Sequence, residues 1–91
     1  DIGSWNVVHD EAEQDSEGNA LISRAQGADW IKYNTANSLV STAKKTIVTI
    51  GLQDVMIVDT EDALLVARKD NAQDVKRVIE ELKQRNKQEL L

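Results

Sequence analysis

From residue 20 to residue 68 the chain is written in short aliphatic runs: WIKY, NSLVS, KTIVTIG, DVMIVDT and DALLVAR. Their apolar centres fall near Ile31, Leu39, Ile47, Val55 and Leu64, about eight or nine residues apart, with polar corners between them. That rhythm fits several short strands with tight connections, as in a small barrel, a sandwich or a β-helix. Strict hexapeptide repeats are not visible, so periodicity alone leaves the winding of the strands open.

Each run carries its own local logic. In Thr46-Ile47-Val48-Thr49-Ile50 the β-branched residues suit a pleated surface, and Gly51 lets the backbone turn out of it. Val55-Met56-Ile57-Val58 is apolar on both faces, which predicts an inner strand. Asp59-Thr60-Glu61-Asp62 forms a polar corner before Ala63-Leu64-Leu65-Val66-Ala67, and Asp54, Asp59 and Asp62 read as turn residues.

Helical spacing appears only at the two ends. Ser4 can cap a helix over residues 4–14 with Trp5, Val8 and Ala12 on its apolar face, followed by a loop at 15–19. Asp70 or Asn71 can cap a second helix whose stripe is Val75, Val78, Ile79 and Leu82. If Val78 and Ile79 are buried against the strands, truncating either to Ala should cost about 1–4 kcal/mol. Glu81 and Arg85 stand four apart in the favourable order.

Ninety-one residues make one domain with a modest core. The apolar residues are nearly all aliphatic, since there is no Phe, one Tyr and two Trp. The net charge is −5, and the six acids from Asp1 to Glu17 precede any Lys or Arg. With no basic face to neutralise phosphates, nucleic acid is excluded as a partner. No apolar run is long enough to span a membrane, and the absence of cysteine favours a cytoplasmic setting.

The residues offer little chemistry of their own. His9 lies among Asp10, Glu11 and Glu13, but one short helix face converges poorly on a metal, so a solvated helix surface is expected. The stretch from Glu13 imitates a calcium loop with Gly18 at its sixth position, yet the twelfth is Arg24 where a bidentate Glu is required. An ion-dependent switch in this acidic segment ranks last among the functional readings. The glycines are scattered singly, which removes a phosphate-cradling loop.

The run NSLVSTAKKTIVTIGLQDVMIVDTEDALLVARKDNAQDVKRVIEELK closely resembles the C-terminal part of bacterial mannose-1-phosphate guanylyltransferases, the GDP-mannose pyrophosphorylases, including those fused to a mannose-6-phosphate isomerase cupin. The matching elements are Ile-Gly-Leu-x-Asp at 50–54, Thr-x-Asp-Ala-Leu-Leu-Val at 60–66 and Ala-Gln-Asp-Val-Lys at 72–76. The opening DIGSW resembles the last motif of that family's catalytic domain, and Gly18-Asn19 also fits, so the resemblance spans essentially the whole chain.

The resemblance implies a mainly β fold with flanking helices: a short-strand, left-handed β-helix closed by a C-terminal amphipathic helix. It divides the chain into 1–19, the terminal helical segment of an absent nucleotidyltransferase domain; 20–70, the β-helix; and 71–91, a helix packed on it. The implied parent is an enzyme joining mannose 1-phosphate to GTP with Mg²⁺, giving GDP-mannose and pyrophosphate. Asp1 stands where related enzymes place a Mg²⁺ ligand; the chain by itself is expected to be inactive and to need no cofactor. The implied role is a structural, dimer-forming module docked on its own N-terminal catalytic domain, with Trp5 and Trp30 as candidate interface anchors. The rival reading is a free-standing β module that binds a nucleotide sugar.

Overall fold

The computed structural model describes residues 5–85. Helix α1 (Trp5–Glu11) leads into six strands, β1 (Ala20–Ser23), β2 (Asp29–Tyr33), β3 (Leu39–Thr42), β4 (Thr46–Ile50), β5 (Val55–Asp59) and β6 (Leu64–Arg68). A 3₁₀ turn (Lys69–Asn71) then opens helix α2 (Ala72–Gln84).

From β1 to β5 each strand pairs with the strand after next, not with its neighbour in sequence. β1, β3 and β5 run parallel, with Ala20 opposite Leu39 and Leu39 opposite Met56, while β2 and β4 form a second parallel pair with Asp29 opposite Thr46. One full coil therefore takes 17 to 19 residues, and the eight-to-nine-residue rhythm of the sequence marks half a coil. A parallel bridge from Ala36 to Gln53 repeats the same offset on a third side. This is a short β-helix, as expected.

The winding stops at β6. After the corner at 60–63, where Thr60 N donates to Ala63 O at 2.8 Å, the chain doubles back and β6 pairs antiparallel with β5. The four-stranded sheet thus has the order β1-β3-β5-β6, with β5 as an inner strand, and the β2–β4 sheet has two strands.

Corners of successive coils use the same backbone device. Gly18, Asn37 and Asp54 hold equivalent places one coil apart, and all three have positive φ, at 82°, 49° and 57°. Only glycine adopts this conformation freely, and Asn and Asp are the side-chain-bearing residues that tolerate it best. The corner residues thus mark where each coil turns into the four-stranded sheet.

The core lies on one face of that sheet. Ala20, Leu39 and Met56 are fully buried, and Trp5 of α1 and Ala12 just after it pack on them together with Ile22, Leu65 and Ala67. Alternation along the strands sends Val40 and Ile57 to the other face, where they share a groove with Ile47 of β4.

Both helices depart from their sequence patterns. α1 ends at Glu11, short of residue 14, because the His9 carbonyl is taken by Ala12 N at 3.2 Å and by the Gln14 side chain at 2.8 Å, which closes the helix. Among the described side chains of α2 only Val75 is deeply buried; Ile79 and Leu82 are half-buried and Val78 is 41% exposed. The stripe is covered only in part, so the condition for a large truncation cost is not met at Val78. Arg85 and Glu81 do pair, at 3.0 Å.

Candidate functional site

The first candidate, Asp1, lies outside the described residues. The other two are both engaged within the chain. Trp5 is half-buried on the Ala20, Leu39 and Met56 cluster. Trp30 is 9% exposed and points to the inner side of the β2–β4 sheet. Its indole N–H donates to Thr49 Oγ1 at 2.9 Å, the Thr49 and Thr35 hydroxyls lie 2.9 Å apart, and Lys32 Nζ sits 4.7 Å from the ring centroid. A buried indole keeps its polar edge only when a partner is supplied, and the two threonines supply it.

His9 contradicts the expectation of a solvated surface, because it is fully buried. Its Nε2 lies 2.7 Å from Gly18 O, an acceptor, so Nε2 carries the proton and Nδ1 accepts from Lys69 Nζ. Lys69 Nζ also donates to Asn37 Oδ1 at 3.2 Å, and the Asn37 amide donates in turn to Asp54 Oδ1. From the main chain, Lys69 N donates to Asp54 O at 2.7 Å, and Asn6 Nδ2 reaches Lys69 O at 3.4 Å.

These contacts form a seam through α1, two coil corners and the turn into α2. Above it opens a polar recess of about 360 Å³ lined by Asn6, Asp10, Asn37, Asp54, Lys69 and Asp70. The imidazole is committed at both nitrogens, and two of the ammonium protons are spoken for. The arrangement is built to hold segments together: it positions α1 on the β-helix. A sequence signal for His9 does exist, since it stands four residues after Trp5 and three before Ala12, on the same helical face.

A second junction organises the loop after α1. Asp15 Oδ1 accepts from Glu17 N and Asn19 N, both at 2.9 Å, and the buried Asn19 spans to the next coil by donating to Thr35 O at 2.8 Å and accepting from Ser38 N at 3.0 Å. Partial burial works against ionisation of Asp15, but the Asn19 and Glu17 N–H groups, the Asn19 amide and Lys32 outweigh it and hold the carboxyl below its usual 3.8. A depressed pKa contributes stability above the unfolded value that is lost as pH falls through the folded one. Below about pH 4 the wild-type chain should therefore lose stability more steeply than Asp15→Asn. Urea midpoints measured across that range check this, and parallel slopes for the two proteins would exclude it.

Among the described residues, no group of three or more His, Cys, Asp or Glu side chains stands close enough to hold a metal ion. No helix among them is long and apolar enough to cross a membrane.

Comparison with known proteins bears on the rest. The family model described as the MannoseP isomerase/GMP-like beta-helix domain matches residues 29–82. A putative mannose-1-phosphate guanylyltransferase of Vibrio cholerae is 37% identical over 89 residues, which is 98% of this chain and 18% of that protein. The mannose-1-phosphate guanylyltransferase of Salmonella muenchen is 39% identical over a span of the same length. The alginate biosynthesis protein AlgA of Pseudomonas aeruginosa is 37% identical over 82 residues, 16% of its length. The chain thus spans about a fifth of the length of these relatives. In fold it is similar to a crystal structure described as mannose-1-phosphate geranyltransferase from Thermus thermophilus, with a TM-score of 0.66 and 23% identity, covering 87% of this chain and 23% of that one.

Proposed function

The chain belongs to the MannoseP isomerase/GMP-like β-helix domain family, and on that premise we propose that it is the non-catalytic, C-terminal structural and dimer-forming domain of a mannose-1-phosphate guanylyltransferase. The observation that carries this reading is coverage: relatives 35–39% identical take in up to 98% of this chain yet only 16–18% of their own length. A segment matched so completely and so small a part of its relatives is one module of a larger enzyme.

In this reading residues 1–19 end the nucleotidyltransferase domain, 20–70 form the β-helix and 71–91 the closing helix. The His9–Lys69 seam and Trp5 are what fix the catalytic domain's last helix to the β-helix. Trp5, with surface left to offer, is the better placed of the two tryptophans to touch that domain. The parent is a cytoplasmic enzyme converting GTP and mannose 1-phosphate to GDP-mannose and pyrophosphate, with Mg²⁺ and Asp1 as one of its ligands. In this reading the ion's other ligands come from the rest of the parent.

The test is a pyrophosphate-release assay with GTP, mannose 1-phosphate and Mg²⁺. The 91-residue chain should release none, while the longer parent turns over and loses most of its rate on Asp1→Asn. Pyrophosphate released by the 91-residue chain, or an unaffected Asp1→Asn parent, would overturn the corresponding half of the reading.

A further inference from the structure

Among the described residues the buried polar side chains include one titratable group, His9, and the chain has no other histidine. Both ring nitrogens are in use: Nε2–H donates to Gly18 O at 2.7 Å, and Nδ1 accepts from Lys69 Nζ. The second contact exists only while Nδ1 carries no proton. An imidazolium presents N–H on both sides and keeps no acceptor. A proton on Nδ1 therefore sets a donor against a positively charged ammonium that has only donors to offer, and the contact must break.

We propose that His9 and Lys69 form a proton-operated latch on α1, closed while the imidazole is neutral and open once Nδ1 is protonated. The surroundings give the displaced lysine a second seat. The charged groups lining the recess over the pair are Lys69 itself, Asp70 from the same turn, Asp54 from the coil corner and Asp10 from α1, while Glu11, Glu13 and Glu17 are exposed. Asp70 is engaged by Arg68 at 3.3 Å, so Asp10 and Asp54 are the rim carboxylates that receive the ammonium. In the closed state Lys69 Nζ sits on His9 Nδ1 and Asn37 Oδ1; in the open state it moves outward to the rim and its charge stays paired.

What the latch holds is α1. A helix of seven residues is too short to persist without tertiary support. Its polar ties to the turn before α2 run through Lys69: the His9 contact, and Asn6 Nδ2 on Lys69 O at 3.4 Å, which is long for such a bond. The packing of Trp5 on Ala20, Leu39 and Met56 involves no charge and is untouched by the proton. Opening the latch thus loosens α1 and the turn at Lys69 while the strands stay wound. The closed latch excludes a proton that the open one binds, so it holds above the range where an imidazole ordinarily titrates, near pH 6.5, and gives way as pH falls through it.

Amide hydrogen exchange of the 91-residue chain between about pH 8 and pH 5 tests the proposal, read as protection factors so that the intrinsic pH dependence of exchange divides out. Carboxylates ordinarily titrate near 4, below this window. Protection in α1 is expected to fall by about fivefold between pH 6.5 and pH 5.5, the limit for one proton, while protection in β3 and β5 stays level. His9→Gln keeps a donor and an acceptor but takes up no proton, so its α1 protection should not vary with pH. Lys69→Met removes the ammonium that the proton opposes and should flatten most of the dependence as well. Circular dichroism checks that each variant folds, and if one does not, the other carries the comparison. Level α1 protection in the wild-type chain overturns the latch, as does a loss shared equally by β3 and β5. A dependence that survives in His9→Gln belongs to another group, and one that survives in Lys69→Met belongs to burial of the imidazole alone; either result also overturns it.

Discussion

Trp30→Ala should destabilise the chain by about 3–5 kcal/mol, a large share of the roughly 5–15 kcal/mol available to a domain of ordinary stability. Two losses combine. The ring is the largest side chain on the inner side of the β2–β4 sheet, and its removal leaves a void that two short strands cannot close. The Thr49 hydroxyl then loses the 2.9 Å donor that fixes it, at a buried position where water is a poor substitute. Trp30→Phe separates these effects, because it keeps most of the ring and removes the N–H; its cost should be about 1–2 kcal/mol. Chemical denaturation of both variants is the measurement, and equal losses would mean that the hydrogen bond rather than the ring sustains the sheet.

Leu39→Ala is the second large effect, expected at about 2–5 kcal/mol. Leu39 is 1% exposed and sits in the middle of the ladder, with Ala20 on one side and Met56 on the other, beneath Trp5 of α1 and Ala12 just after it. Its neighbour Ala20 is too small to move into the gap. The cavity would lie where α1 joins the β-helix, so hydrogen exchange in α1 should accelerate together with global unfolding. Unchanged exchange in α1 alongside a full stability loss would show that the helix is held by the His9 seam alone.

How much of the fold and of the site is legible in the sequence follows from which interactions are local. The apolar runs announce every strand from β2 to β6, because a buried strand needs its branched residues wherever it pairs. Their partners stay hidden: the spacing of Ile31, Leu39, Ile47, Val55 and Leu64 counts half-coils, and nothing in it says that Leu39 faces Ala20 and Met56 rather than Ile47. The corner column of Gly18, Asn37 and Asp54 becomes visible only once that register is known. The reversal at β6 is equally silent, since its sequence would serve a parallel or an antiparallel strand. His9 misleads because Asp10, Glu11 and Glu13 suggest solvent, while the partner that buries it, Lys69, stands 60 residues away. In α2 the amphipathic stripe is plain, but a stripe records a preference for cover and not the amount of cover present at Val78.

The direction of β6 has a consequence for how such a module can change over evolutionary time. A tower of identical floors is extended most simply by adding a floor on top, yet here the uppermost storey is roofed by a strand laid the wrong way for stacking. Any gain in height must be inserted lower down, as a whole turn of 17 to 19 residues between existing ones, or the roof has to be dismantled first. Variation in length should therefore arrive in whole turns within the middle of the tower and spare the hairpin that finishes it.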